Sequence, residues 1–486
     1  MYGSDYYPVW LILLFILHGW RYYWGLVSFI EVAEVFFILT TVALVSFVFC
    51  QLLLQQIKKA AFLTFVLMFF LLYTTSIINF FDLWTVLPHV KDQLLIILGL
   101  FIITAVIVRK VKTIGPRLMM LLNVTLGILI LLELVLLLFT NNSKAKSEAG
   151  SFFKDRENVQ TKKLFPSVYL ILLDEYAGSE SLERNFNYNN SHFTEFLKSR
   201  KFKVIQNAVS NYKYTLLSLP SMFNGEYIST PKSLSVYGEE GSKQAMFDML
   251  YNKTFVTFKQ LGYNTFNYSP FAIQNHDEAY SNRFLPGGIL LLLYPTLLDD
   301  FVEQLPPYLL IKLGKKSWLE SYYKKLNEEN ERLIQKTYEK SRERDRQPVF
   351  CYVHFMLPHS PYIMDSAGKV NLTYLSSQMH SVEIEKGAYI QSLQYTNKLM
   401  MNVIDSLKRN TNNNAVILVM SDHGYKTHVF NKRQEDKFNS LNAVYMPDAD
   451  TAKWYNGMSN INQFRILFST ITGEAIPLVK DYLILK

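Results

Sequence analysis

Ala415-Val-Ile-Leu-Val-Met-Ser-Asp422-His423-Gly424 is an unbroken apolar run that ends on an acid, an imidazole and a glycine. Two other runs share its form: Val168-Tyr-Leu-Ile-Leu-Leu-Asp174-Glu175, and Pro348-Val-Phe-Cys-Tyr-Val-His354 followed by Pro358-His359. A near-continuous apolar run of this length reads as a strand covered on both faces, the pattern of a parallel sheet. In open parallel sheets ligands bind beyond the carboxyl ends of the strands. The polar residues that end these runs are therefore expected to converge on one site, and their types make a metalloenzyme the leading reading.

The material around these strands alternates in character. Ser191 to Arg200 reads as a helix, Phe202 to Gln206 as a strand, Phe247 to Leu261 as a helix and Thr265 to Tyr268 as a strand. Ser317 to Arg344 is a long charged helix, and Ile390 to Leu407 an amphipathic one that feeds the strand at Ala415. Alternation of this kind predicts an α/β domain with a mostly parallel central sheet over 166–486. Phe284 to Leu313 fits less well, because its Leu-rich runs are broken by prolines and are too short to span a bilayer. It reads either as a core helix pair or as a segment resting on a membrane surface.

The first 140 residues are a different material, dominated by Leu, Ile, Phe and Val. A membrane helix needs about 20 mostly apolar residues to cross a ~30 Å hydrocarbon layer. Stretches 8–27, 29–54, 61–80, 93–110 and 117–139 meet that length, so a multi-pass α-helical membrane domain of five spans is expected over 1–140. Lys58 and Lys59, and Arg109, Lys110, Lys112 and Arg117, fall in the loops between spans two and three and between spans four and five. Basic loops stay cytoplasmic, which puts the N-terminus inside and everything after residue 140 outside. Glu31 and Glu34 suit an interfacial position or a polar cleft, and Glu133 lies within a span. Residues 141–165 are polar, lack apolar periodicity and read as a linker.

A formal charge of +8 over 486 residues averages these two materials and says little about partners. With no dense basic patch interleaved with aromatics, no nucleic-acid partner is expected. The two cysteines, Cys50 and Cys351, both lie in apolar runs and read as buried free thiols.

Between the first two strands sits Thr215-Leu-Leu-Ser218-Leu-Pro220-Ser-Met222-Phe223. A hydroxyl that opens a helix beside a divalent ion is a plausible nucleophile: the ion lowers its pKa, and the helix N-terminus favours the anion that forms on an attacked phosphate. Here the sequence resembles the alkaline phosphatase and sulfatase superfamily, in particular its membrane-anchored branch of lipid A phosphoethanolamine transferases and lipoteichoic acid synthases. Thr215 to Phe223 matches the Thr-x-x-Ser-x-Pro-x-Met-Phe pattern of those transferases, and Asp422-His423-Gly424 matches their Asp-His-Gly. Phe438-Asn-Ser-Leu-Asn-Ala-Val-Tyr-Met-Pro is a further family-like strand.

The resemblance implies an alkaline-phosphatase/sulfatase-like fold and one divalent metal ion, Zn²⁺ or Mn²⁺, held by Asp174, Thr215, Asp422 and His423, with Glu175 as the alternative to Asp174. It makes Thr215 and His359 the catalytic pair. It places His359 near the substrate phosphate, with His354 and His428 as further substrate-binding candidates. True sulfatases need a cysteine in Cys-x-Pro-x-Arg, and Thr215-Leu-Leu-Ser-Leu-Pro has none, which argues against sulfate-ester hydrolysis. The implied activity is transfer of a phosphoethanolamine- or phosphoglycerol-type headgroup from a membrane phospholipid to an envelope glycan or glycolipid through a phospho-threonine. A membrane-tethered phosphodiesterase or phosphatase is the alternative. The implied location is a bacterial inner membrane, with the catalytic domain on the periplasmic or extracellular side.

Overall fold

The computed structural model describes residues 6–81, 90–140, 150–153, 165–228, 239–276, 279–280, 287–293, 295–376, 381–426, 433–447 and 451–485. The chain divides into two compact units, Met1–Lys146 with Asn282–Leu313, and Ser147–Ser281 with Gly314–Lys486.

The first unit contains α1 (Tyr7–Tyr22), α2 (Phe29–Leu54), α3 (Ile57–Phe80), α4 (Val90–Lys110) and α5 (Pro116–Leu138). Four helices among the described residues are long and apolar enough to cross a membrane: α2, α3, α4 and α5. The stretch read as a first span is a shorter helix of 16 residues. It rises about 24 Å at 1.5 Å per residue, less than the hydrocarbon thickness. It ends at Tyr23, ahead of Gly25 at φ 87° and a bridge between Trp24 and Val27.

Several ionisable residues of this unit are paired. Glu133 of α5 accepts from Arg21 Nε at 2.6 Å and faces His18 Nδ1 at 2.9 Å, which ties α5 to α1. Glu31 closes a capping box at the start of α2, accepting from Ser28 N at 2.6 Å while Ser28 Oγ accepts from Glu31 N. Lys59 reaches the carbonyl of Arg109 at 3.4 Å and so puts a cation on the C-terminal end of α4, where the helix dipole favours one.

The second unit is built on a six-stranded sheet of order β2-β6-β5-β1-β4-β3. Its strands are β1 (Ser167–Leu173), β2 (Lys203–Val204), β3 (Asn264–Tyr268), β4 (Val349–Phe355), β5 (Ala415–Ser421) and β6 (Asn442–Tyr445). β1 pairs in parallel with β4 and β5, and β3 with β4; β6 runs antiparallel to both β5 and β2. The three apolar runs are thus the three central strands, as their composition predicts, and they are buried throughout apart from Ser167.

Helices cover both faces. On one, Ile171, Val353 and Ile417 join Leu393, Met400 and Leu407 of the helix Val382–Asn410. On the other, Phe350 stacks on Phe258 with centroids 3.9 Å apart, and Tyr352 meets Phe223 edge-on at 4.9 Å. The segment read as one helix over Phe247 to Leu261 is two, Glu239–Leu250 and Lys253–Gln260. Asn252 makes the break: its side chain caps the second helix by accepting from Phe255 N, and its amide donates to Met249 O. Asn is a strong N-cap and a poor mid-helix residue for that reason.

Ile417→Ala removes a fully buried side chain from the centre of this sheet. It is expected to cost about 2–5 kcal/mol and to lower the thermal midpoint of the purified protein. Leu326→Ala, at an exposed position, serves as the control that leaves the midpoint in place.

Candidate active site

The register between β1 and β5 pairs Leu173 with Ser421, so the next residues, Asp174 and Asp422, leave adjacent strands side by side. Asp174, Asp422 and His423 each offer one ligand atom within 4.8 Å of the others, and all three are buried. His423 Nε2 lies 3.3 Å from Asp422 Oδ2 and 3.9 Å from Asp174 Oδ1. These two carboxylate oxygens make no hydrogen bond although they are buried. A buried carboxylate oxygen left unpaired is costly unless a cation takes its lone pairs. The donor set, two carboxylates and one imidazole, therefore fits a divalent metal ion.

His423 is oriented for that role by its other nitrogen, which stands 2.7 Å from the carbonyl of Gly424. A donor at Nδ1 leaves the Nε2 lone pair facing the carboxylates. Gly424 itself has no room for a side chain. A Cβ there would sit 2.3 Å from the Asn439 carbonyl oxygen and 2.7 Å from that of Asp436.

Thr215 completes the group from the opposite side. It is the first residue of the helix Thr215–Asn224, whose N-cap residue Tyr214 makes no side-chain capping bond. Its Oγ1 is 3.2 Å from His423 Nε2 and donates to Asp174 Oδ2 at 3.4 Å. Ser218, one turn on, donates to the carbonyl of Asp422 at 2.5 Å. The Thr-x-x-Ser spacing thus ties the helix to the Asp422 strand end as well as presenting the hydroxyl.

Glu175 is not in this group. Its backbone is left-handed at φ 60°, which turns its carboxylate aside to accept from Lys426 N at 3.0 Å and to face His359 Nε2 at 3.8 Å. His354 does reach the group, with Nε2 3.4 Å from Asp174 Oδ2 and Nδ1 2.9 Å from the Tyr352 hydroxyl. His359 stands beside it, buried, with Nδ1 2.5 Å from its neighbour's carbonyl at Ser360 and Nε2 3.2 Å from Lys426 Nζ. His428 lies outside the described residues. Burial works to raise the Asp174 pKa, but His359, a hydrogen bond from His354 and the field of His423 outweigh it and hold the carboxyl well below its usual range. Lys426 is the residue that sequence reading missed. Burial works against its charge, and the carboxylates of Glu175, Asp174 and Asp422 outweigh burial and raise its pKa. Its only sequence signal is its place four residues after Asp422.

Two acids and an imidazole at the strand ends, with a hydroxyl from the first turn of a helix, are thus gathered at one edge of the α/β sheet. A family model described as Sulfatase matches residues 166–464, and the chain belongs to that family, within the alkaline phosphatase/sulfatase superfamily. No curated protein matches the chain. Among solved structures, it is similar to the integral membrane lipooligosaccharide phosphoethanolamine transferase A (EptA) of Neisseria meningitidis, at 13% identity over 96% of each chain and a TM-score of 0.40. It is also similar to the zinc complex of the C-terminal periplasmic domain of EptC from Escherichia coli, at 12% identity over 64% of this chain and 84% of that one, with a TM-score of 0.40.

Gly424→Ala forces a methyl group against two backbone carbonyls that cannot swing away. It is expected to cost about 1–3 kcal/mol or more by overpacking and to shift His423 with it. Gly387→Ala, in open space on a helix, should instead hold or raise the melting temperature. Thermal unfolding of the two variants side by side reads the difference.

Proposed function

We propose that the chain is a membrane-anchored, metal-dependent phosphotransferase that moves a phosphoethanolamine- or phosphoglycerol-type headgroup from a phospholipid to an envelope glycan or glycolipid. The observation that carries this is the position of Thr215 Oγ1. It is a buried hydroxyl at a helix N-terminus, within 3.4 Å of both His423 Nε2 and Asp174 Oδ2, beside two carboxylate oxygens without hydrogen bonds. Asp174, Asp422, His423 and Thr215 would hold one Zn²⁺ or Mn²⁺. A bound divalent ion supplies Lewis acidity, lowering the hydroxyl pKa and offsetting charge on the phosphoryl oxygens.

In the first half-reaction Thr215 Oγ1 bonds to phosphorus as the bond from phosphorus to the diacylglycerol oxygen breaks. The hydroxyl proton, directed toward Asp174 Oδ2 in the resting site, passes to solvent in that step, because Asp174 is held well below the usual carboxyl range and does not keep it. The diacylglycerol oxygen takes a proton from the adjacent His359–Lys426 pair. In the second half an acceptor hydroxyl bonds to the same phosphorus as the bond from phosphorus to Thr215 Oγ1 breaks; the acceptor's proton restores the His359–Lys426 pair, and Thr215 takes back from solvent the proton it released there. The helix N-terminus and the Lys426 ammonium stabilise the negative charge that builds on the phosphoryl group in both halves. α1 joins α2 to α5 in this reading as a fifth membrane segment. The N-terminus is cytoplasmic, and the catalytic unit stands on the outer side of a bacterial inner membrane, where lipid headgroups are concentrated.

Purified protein incubated with headgroup-labelled phospholipid is expected to carry the label on the Thr215 peptide by mass spectrometry. Thr215→Ala should abolish the adduct and cut turnover by about 10³-fold or more. A Thr215→Ala variant that transfers at the wild-type rate sinks the reading, and headgroup released to water with no acceptor labelled turns it to the hydrolase. Stripping metal with a chelator should silence turnover, with recovery on adding Zn²⁺ or Mn²⁺.

A further inference from the structure

The stretch Asn282–Leu313 lies between β3 and β4 in sequence, yet it clusters with the apolar helices of the first unit. Its described elements are the short helix Ile289–Leu293 and the helix Leu297–Lys312. Leu291, Leu292 and Leu293 are buried. Leu292 reaches α1 at Gly19, where a Cβ would lie 2.8 Å from its Cδ2, so the glycine acts as a notch for that leucine. The helix Leu297–Lys312 packs on α3 and α4. Gly19 is in the last turn of α1, the end that the distribution of basic loops puts on the outer side.

The distal half of the second helix has one face with large apolar side chains exposed. Tyr308, Leu309 and Leu313 are 37%, 44% and 67% exposed, and Lys312 lies between them with Nζ 5.7 Å from the Tyr308 ring centroid. Positions 308, 309, 312 and 313 share one side at α-helical spacing. Lys315 and Lys316 follow directly. An aromatic, two leucines and a lysine on one face, with more lysines at the end, is the composition of a helix lying in a headgroup layer. The face also continues the outer apolar surface of the helices it packs on, where Leu95, Leu98 and Ile102 of α4 are exposed.

We propose that the helix Leu297–Lys312 is seated in the outer-leaflet interface, its exposed face in lipid and Lys312 at the level of the lipid phosphates. The catalytic sequence would then be held to the bilayer by this internal excursion as well as by its N-terminal connection. The proposal rests on reading α2 to α5 as membrane spans, and the test separates the two.

The full chain is reconstituted in bilayers of phosphatidylethanolamine and phosphatidylglycerol, with one nitroxide on a cysteine at Leu309, Leu313, Leu131 or Lys325. Cys50 and Cys351 are fully buried and stay unlabelled. Expected at Leu309 and Leu313 is spin relaxation several-fold stronger with oxygen, which partitions into lipid, than with a water-soluble nickel chelate. Leu131, exposed on α5, should behave alike, and Lys325 on the helix Lys316–Arg342 should show the reverse. Nickel-dominated relaxation at Leu309 and Leu313 with an oxygen-dominated Leu131 overturns this proposal alone. Nickel dominance at Leu131 too overturns the membrane reading beneath it. Spin–spin broadening between labels at Leu309 assigns the face to a second copy of the chain and overturns the lipid seat.

Discussion

Two carboxylates that the fold forces together set the terms for everything around them. Asp174 and Asp422 leave neighbouring parallel strands at the same level, and their ligand oxygens lie within 4.8 Å. At an effective dielectric of about 20, two full charges at that distance repel by about 3–4 kcal/mol. Burial adds to the cost, since neither of the two unbonded oxygens accepts a hydrogen bond from the protein. The surroundings answer: His359, His354 and His423 favour the charged form of Asp174, and the helix of Thr215 begins beside it. A site built at such expense is better explained by the cation it can accept than by any contribution it makes to stability.

The parallel sheet is what allows residues so far apart in sequence to meet. Each central strand arrives from the same direction, so each delivers its terminal side chains to one edge. β1 brings Asp174, β4 brings His354 and the loop with His359, and β5 brings Asp422 and His423. Thr215, the proposed nucleophile, comes from a helix instead. A strand end would offer Thr215 no aligned backbone N–H groups, whereas the first turn of a helix places the hydroxyl beside them.

Much of this was legible before any coordinates, because the three strands are apolar on both faces and their ends are not. Periodicity and length sufficed for the central sheet and for α2 to α5. They failed where a single residue overrides the pattern. Asn252 splits an apparent helix through a side-chain cap, and α1 ends at Tyr22, with a turn at Gly25 lying inside the apolar stretch read as 8–27. The choice between Asp174 and Glu175 was open in sequence, since both acids end the same strand. A left-handed backbone at Glu175 separates them by turning its carboxylate toward Lys426. Lys426 was invisible for a related reason: its partners come from β1 and from the loop after β4, and no spacing within its own segment reports them. The Leu-rich segment after residue 284 carried both of its readings to the end, because periodicity does not say which surface a helix will cover.

Preorganisation of Thr215 depends on groups no motif contains. Asn211, four residues before it, is buried; its amide lies within 3.1 Å of the Tyr227 hydroxyl, Ser459 Oγ and the Tyr482 carbonyl, and its side-chain oxygen accepts from Ile461 N. Asp481 accepts from Ser459 N, Ser459 Oγ and Asn462, and so braces the 459–462 turn from the far side. From that turn Asn460 donates to the carbonyls of Ser421 and Asp422. One short turn therefore holds the backbone ahead of Thr215 and the backbone of a candidate metal ligand at once. In the proposed reaction the attacking oxygen reaches phosphorus at a fixed distance from the charge that assists it, and a misplacement of 1 Å can cost about 10²-fold in rate. Coupling both elements to the same turn ties the position of Thr215 to that of Asp422 through hydrogen bonds from residues about 250 positions further along the chain than Asn211.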